Sequence, residues 1–274
     1  MSGGSTRRSL EIVDVGWSTT IQDQGRRGLA HLGVPTAGAI DGGLAALVNR
    51  LVGNDARAAV LETAGGLTVR ASGAVLVATS GELAPRALAA GEELTVPVDS
   101  DRTWSYLAVR GGVDVALVLG SRSHDTLSGI GPEPIVVGGL LPVGADPATA
   151  VTVDIAPQRA RPVRIRVWPG PRIDWFEGAR STRLTMDAWT VENVSRVGLR
   201  LAGPAVRRVL DHELVSEGLV AGAIQVPPDG QPVVMLADHP TTGGYPVIAV
   251  VDPDDLAALA QRRVGSVVRF SHAQ

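Results

Sequence analysis

The chain has 274 residues, enough for one large domain or two modest ones, and no cysteine, which excludes disulfides, thiolate metal sites and a cysteine nucleophile and favours a cytoplasmic setting. All 25 basic residues are arginine, so a Walker A lysine, a Schiff-base lysine and a lysine carrying biotin or lipoate are excluded too. A formal charge of -3 with both signs interspersed, and only five Trp, two Tyr and two Phe, argue against a nucleic-acid face.

Residues 1–9 are small, polar and basic with no apolar segment after them, so a disordered start is predicted rather than a signal peptide. No apolar run approaches the roughly 18 residues of a membrane span. Leu10–Val15 alternates as a strand and leads into a stretch dense in amide, carboxylate and guanidinium groups. Within it, Gln22, Asp23 and Arg26 either converge on a small polar ligand, with Arg26 as a planar fork for a carboxylate, or form a solvated loop with a weak Asp23–Arg26 surface pair.

Asp41 stands where a helix N-cap belongs. Leu44, Leu47, Val48 and Leu51 follow at helical spacing, and Gly53 marks the stop. Asn49 and Asn54 are expected to satisfy local backbone. From Val60 to Val109 short apolar or alternating runs, separated by glycine, proline or charge, predict antiparallel β structure curling into a barrel or sandwich. Glu62 is either a buried acid or a solvated edge residue. Ser123, His124 and Asp125 are adjacent, but a catalytic triad is assembled by the fold and no Gly-x-Ser-x-Gly elbow exists, so a structural turn is expected.

Residues 156–162, bounded by prolines and rich in charge, predict a lobe boundary. Beyond them Val163–Val167 reads as a strand and Ile173 to Leu184 as a short helix. Ser195–Gly203 repeats the Arg-x-Gly-Leu-x-x-x-Gly spacing of Arg26–Gly33, and Gly222–Gln225 echoes Gly38–Asp41, hinting at two related β lobes. The stretch Ala237–Pro246, between apolar runs Val233–Leu236 and Val247–Val251, holds an acid, an imidazole, two threonines, two glycines and a tyrosine. It reads either as a ligand-facing turn, with Gly243 and Gly244 turning N–H groups inward as an anion nest, or as a hairpin whose Thr and Asp bond their own backbone. Asp252, Pro253 and the following acids open a final helix, closed by arginines, and Ser266–Phe270 is the last strand.

Taken together, Thr20-Ile21-Gln22-Asp23-x-Gly25-Arg26, Ala39-Ile40-Asp41, Leu51-Val52-Gly53-Asn54, Gly120-Ser121-Arg122-Ser123, Ser216-Glu217-Gly218, Gly222–Pro227 and Thr241–Pro246 resemble the KipA-like family, also called allophanate hydrolase subunit 2, the biotin-dependent carboxyltransferase family and the 5-oxoprolinase C subunit. The similarity runs from about Leu10 to Phe270. It implies a mainly β fold with a few short helices and two cyclophilin-like β-barrel lobes, an N-terminal one over 10–157 and a C-terminal one over 163–271. It also implies partners: a KipI-like B subunit and a LamB/YcsF-like A subunit.

The function so implied is one component of an ATP-dependent 5-oxoprolinase that opens the lactam of 5-oxo-L-proline to L-glutamate. The alternatives are a carboxyltransferase component acting on urea or a similar amide with a separate biotin carrier, and a KipA-type regulator that binds a KipI-like kinase inhibitor. Without lysine the chain carries no covalent biotin, and without a Gly-x4-Gly-Lys loop any ATP needs another type of site or a partner. No metal is expected. Under this resemblance Asp23, Asp41 or Asp238 would act as base and Thr242 in the chemistry. Arg26 or Arg196 would clamp the substrate carboxylate, with Gln22, Gln225, Thr241, Gly243, Gly244 and Tyr245 binding substrate. His239, Pro240 and Val247 depart from the Arg, Gln and Lys common at those places.

Overall fold

The computed structural model describes residues 8–151, 162–178, 183–210 and 212–273. Residues 1–7 of the expected disordered start, and 156–161 of the expected linker, lie outside the described residues. Two compact units emerge: Met1–Arg26, Ala37–His124 and Gly129–Arg159 form the first, and Arg27–Thr36, Asp125–Ser128 and Ala160–Gln274 the second.

The first unit contains β1 (Ser9–Val15), β2 (Thr19–Gln22), α1 (Gly42–Leu51), β3 (Val60–Thr63), β4 (Leu67–Ala71), β5 (Val75–Thr79), β6 (Pro85–Leu88), β7 (Glu93–Val96), β8 (Ser105–Val109) and β9 (Leu140–Pro142). Its strands make a four-stranded sheet, β7-β4-β1-β9, and a five-stranded sheet, β2-β3-β8-β5-β6. Period-two alternation decides which face each strand buries. Leu10, Ile12, Leu67, Val69, Leu94 and Val96 of the first sheet share one core with Ile21, Leu61, Val77, Leu88, Leu107 and Val109 of the second. All five residues of β8 are buried, because Tyr106 and Ala108 on its other face pack beside Val48 and Leu51 of α1.

The start of α1 is fixed as its sequence predicts: the Asp41 carboxylate accepts the Leu44 N–H at 2.9 Å, and Gly53 ends the turn at φ 72°. The two asparagines reach further than their own backbone. Asn49 donates to Ala58 O, while Asn54 donates to Asn49 Oδ1 and Val109 O and accepts from Gly111 N, tying the helix end to β8.

The second unit holds β10 (Ile165–Pro169), α2 (Arg183–Met186), β11 (Ala188–Val194), β12 (Gly198–Ala202), β13 (Glu217–Gly218), β14 (Ala223–Gln225), β15 (Val233–Met235), β16 (Thr242–Gly243), β17 (Val247–Val251), α3 (Pro253–Ala260) and β18 (Val267–His272). Seven strands close into a barrel in the order β10-β17-β14-β15-β12-β11-β18, which leaves no open edge among them. The mainly β expectation therefore holds, and the closed barrel lies here. Helix α3 begins as expected, with the Asp252 carboxylate accepting the Asp254 N–H and Pro253 in the first turn.

Three expectations are corrected. Ile173 to Leu184 is not one helix: Ile173–Trp175 is a single 3-10 turn, Phe176 is extended and bridges Arg208, and Gly178 at φ 68° takes a left-handed conformation that a helix interior cannot use. Residues 179–182 of that stretch lie outside the described residues. The echoed segments do not share a structure, since Ala223–Gln225 is a strand whereas Ala39–Asp41 is the approach to α1, and β12 has a 3-10 turn, Ala30–Leu32, as its counterpart. Lastly, β15 and β17 are not hairpin partners, because β14 lies between them.

Among the described residues no helix is long and apolar enough to cross a membrane.

Candidate functional site

The first polar cluster belongs to the first unit and grows from the end of β2. Gln22 is buried and donates to His124 O at 2.8 Å and to Thr20 Oγ1 at 2.9 Å. Asp23 accepts from the Ser121 hydroxyl at 2.6 Å, the Ser123 hydroxyl at 2.7 Å, the Arg122 N–H at 2.6 Å and the Gly25 N–H at 2.8 Å. Burial by itself would push this carboxyl up, but the bonds from Ser121, Arg122, Ser123 and Gly25 outweigh it and hold Asp23 below the ordinary carboxylate range. The Arg26 guanidinium, also buried, donates to Ser123 O and to Val118 O. All three side chains thus spend hydrogen bonds on one loop, Val118–His124.

Asp41 lies at a different network of the same unit. Its backbone N–H donates to Tyr106 Oη at 2.7 Å, and that phenol donates to Glu62 Oε2 at 2.7 Å, which also accepts from Ile40 N at 2.8 Å. Glu62 is the buried acid of the two readings, with 1% exposure. Burial, the Glu62 charge and the Asp41 charge push the Tyr106 phenol well above its ordinary value. The Ser-His-Asp run forms no triad and is itself irregular, with the turn at residues 126–128 after it: Ser123 is engaged with Asp23, His124 Nδ1 lies 2.8 Å from Pro132 O, and Asp125 Oδ1 accepts from Leu127 N, Ser128 N and Ser128 Oγ.

The second cluster belongs to the second unit and surrounds the stretch between β15 and β17. Asp238 is fully buried and meets Arg196 in two bonds, Nε to Oδ2 at 2.8 Å and Nη2 to Oδ1 at 2.7 Å. Thr126 adds its N–H at 2.9 Å and its hydroxyl at 2.7 Å to Asp238 Oδ2. His239 is 8% exposed and its Nδ1 lies 2.7 Å from Pro240 O; a carbonyl only accepts, so Nδ1 carries a proton. Thr242 and Gly243 form β16 against Glu217 and Gly218, and Leu219 N donates to Thr241 O. Arg172 pairs with Glu217 beside them.

Close approach, and not a left-handed backbone, explains Gly243. A Cβ there would stand 2.6 Å from Gln225 Nε2 and 2.7 Å from Leu219 Cδ1. Gln225 in turn donates to Tyr245 O at 2.9 Å. Gly244 is roomier, with Leu214 O the nearest atom at 3.7 Å. Neither glycine is among the described residues with positive φ, so the expected anion nest is not built on them in its αR-αL form. Thr242, Gly244 and Tyr245 are exposed, Tyr245 to 46%.

The structure therefore brings Gln22, Asp23 and Arg26 together, pairs Arg196 from the β11–β12 connection with Asp238 and Gln225 of β14 with Tyr245 O beside Gly243, at two points of the stretch between β15 and β17, and gives Asp41 to the cap of α1. Sequence reasoning misses Thr126, which follows the Ser-His-Asp run and carries no local signal. It also assigns no role to Ser121, Ser123 or Glu217, although their motifs are among those that carry the resemblance.

The carboxyltransferase domain, subdomain A and B, matches residues 32–272. The 5-oxoprolinase C subunit of Escherichia coli is 37% identical over 95% of this chain and 90% of its own length, and that of Haemophilus influenzae 32% identical over the same shares. Urea amidolyase of Saccharomyces cerevisiae is 28% identical over 96% of this chain but only 16% of its own length. Among solved structures, TTHA0988 superposes with a TM-score of 0.86 at 33% identity, covering 99% of this chain, which spans 57% of that protein. The K. lactis urea amidolyase superposes with a TM-score of 0.87 at 25% identity, and the chain spans 19% of it.

Proposed function

The chain belongs to the carboxyltransferase-domain family of subdomains A and B, and from that premise we propose that it is the C subunit of an ATP-dependent 5-oxoprolinase, which opens the lactam of 5-oxo-L-proline to L-glutamate. The observation that carries this reading is the near end-to-end likeness to the Escherichia coli protein, 95% of one chain against 90% of the other. The urea amidolyase likeness covers only a small part of that enzyme. The subunit naming of the bacterial relatives supports a multi-subunit assembly, and we propose a KipI-like B subunit and a LamB/YcsF-like A subunit as its other members. A cytoplasmic setting fits a chain of this length without cysteine.

The net reaction consumes two waters, one added across the lactam C–N bond and one accounting for the conversion of ATP to ADP and free phosphate. Activation transfers the terminal phosphoryl group from ATP to the lactam oxygen and frees ADP; a first water adds to the ring carbon and the C–N bond breaks as the nitrogen takes a proton, which leaves an acyl phosphate, and a second water cleaves that to the carboxylate and free phosphate. With no lysine for a phosphate-binding loop, we assign ATP to a partner protein of the complex. To this chain we assign the lactam: Thr242, Gly244 and Tyr245 are exposed residues of one turn, and their hydroxyl and N–H groups are the donors we assign to charge developing on the lactam oxygen. Gln225 and Gly243 set the course of that turn through Tyr245 O. Gln22, Asp23 and Arg26 hold the Val118–His124 loop, and Asp41 caps α1.

A carboxyltransferase component acting with a separate biotin carrier is the second reading, favoured by the likeness to urea amidolyase. The test is ATP-dependent release of glutamate from 5-oxoproline by this chain mixed with its companion subunits, each omitted in turn. Activity lost when this chain is left out supports the first reading; an assembled complex without turnover sinks it.

A further inference from the structure

We propose that Thr126 and Arg196 are positioning residues: they clamp Asp238, and Asp238 anchors the turn through Tyr245 instead of exchanging protons with a substrate. The inference rests on the assignment of that turn to the lactam. Asp238 accepts four hydrogen bonds, from Arg196 Nε, Arg196 Nη2, Thr126 N and Thr126 Oγ1, at 2.7–2.9 Å, with no exposed surface. A base must come within hydrogen-bond reach of the proton it removes. A carboxylate enclosed by four donors meets no substrate, but it suits holding a backbone.

The backbone it holds runs on into the exposed residues Thr242 and Tyr245. Asp238 N donates to Arg196 O and Leu236 N to Val197 O, so the start of the turn is zipped to the residues that supply the guanidinium. Val226 N donates to Pro246 O, and Gln225 Nε2 to Tyr245 O, at the other end. Between these anchors Thr241 O accepts from Leu219 N. The Thr126 hydroxyl comes from 112 residues away in sequence and adds a further bond to the first anchor. Loss of that bond loosens the position of Thr242 and Tyr245 without removing any group proposed to touch the lactam.

Thr126→Val keeps the shape and the N–H bond and removes only the hydroxyl; Thr126→Ser keeps the hydroxyl. In the assembled complex T126V is expected to lower kcat about tenfold with KM changed less than about twofold, the signature of misplaced reacting groups, while T126S stays within about twofold of the parent. The unfolding midpoint of T126V should stay within a few degrees of the parent. Full activity of T126V, a loss that T126S shares, or a loss that tracks the fraction unfolded would each overturn the proposal. Should the parent complex show no turnover, the functional reading fails by itself, and amide hydrogen exchange decides the positioning role. Faster exchange in T126V at residues 239–245, with the barrel strand Val233–Met235 unchanged, supports it; equal exchange at 239–245 overturns it.

Discussion

Asp238 and Arg196 form a bidentate ion pair, Oδ2 to Nε at 2.8 Å and Oδ1 to Nη2 at 2.7 Å, with side chains 0% and 2% exposed. Removing one partner leaves the other charge buried, which costs about 3–5 kcal/mol. Asp238→Asn and Arg196→Met are each expected to lose stability on that scale in urea unfolding. Replacing both by apolar residues should cost less than the sum of the two. A loss under about 1 kcal/mol in either single variant would mean that solvent screens the pair.

The two glycines of the turn should respond differently. Gly243→Ala forces the Gln225 amide aside, because the new methyl would stand 2.6 Å from Nε2, and with it goes the bond to Tyr245 O. Gly244→Ala meets nothing closer than 3.7 Å and needs no left-handed backbone. Glutamate release by the assembled complex should fall about tenfold or more in G243A and stay within about twofold in G244A. Equal tolerance of both would remove Gln225 from the account of the turn.

Asp23 should leave its mark on acid stability. Its carboxyl is held below its ordinary value in the folded chain, so the folded state binds its proton less readily than the unfolded one. The sign follows: the stabilisation is present above the unfolded value, about 3.9, and is lost as pH falls below it through the depressed folded value. Asp23→Asn is expected to flatten that part of the stability–pH curve, read by urea melts from pH 6 downward to about pH 2. A curve of unchanged slope would show that Ser121 and Ser123 do not favour the charged form.

Tyr106 should govern the opposite end of the scale. Its phenol is pushed well above the ordinary value by burial and by the Glu62 and Asp41 charges, so the folded chain keeps the proton that the unfolded chain releases near pH 10. Its contribution is complete below that pH and is lost as pH rises toward the folded value. Tyr106→Phe should soften the alkaline loss of stability, and at pH 7 should cost about 1–3 kcal/mol, because Glu62 and the Asp41 N–H both lose a partner. Alkaline melts of the two proteins, overlaid, check both points.

The sequence by itself determined what depends on neighbours along the chain. The alternation of Leu10–Val15, the runs between Val60 and Val109, and the capped helices Gly42–Leu51 and Pro253–Ala260 are written in local periodicity, because a strand or helix sorts its faces within a few residues. The short strands Leu140–Pro142, Glu217–Gly218 and Thr242–Gly243 have too few residues to show a period, so local pattern does not reveal them. Composition settled that no lysine chemistry resides here. Tertiary structure alone decided what the polar side chains of the two clusters face. Asp23 meets Ser121 and Ser123 about a hundred places on, and Asp238 meets Thr126 from 112 residues away. Spacing names the acids, but whether an acid is enclosed by donors or open to a substrate depends on which distant donors the fold delivers to it, because each hydrogen bond acts only over about 3 Å.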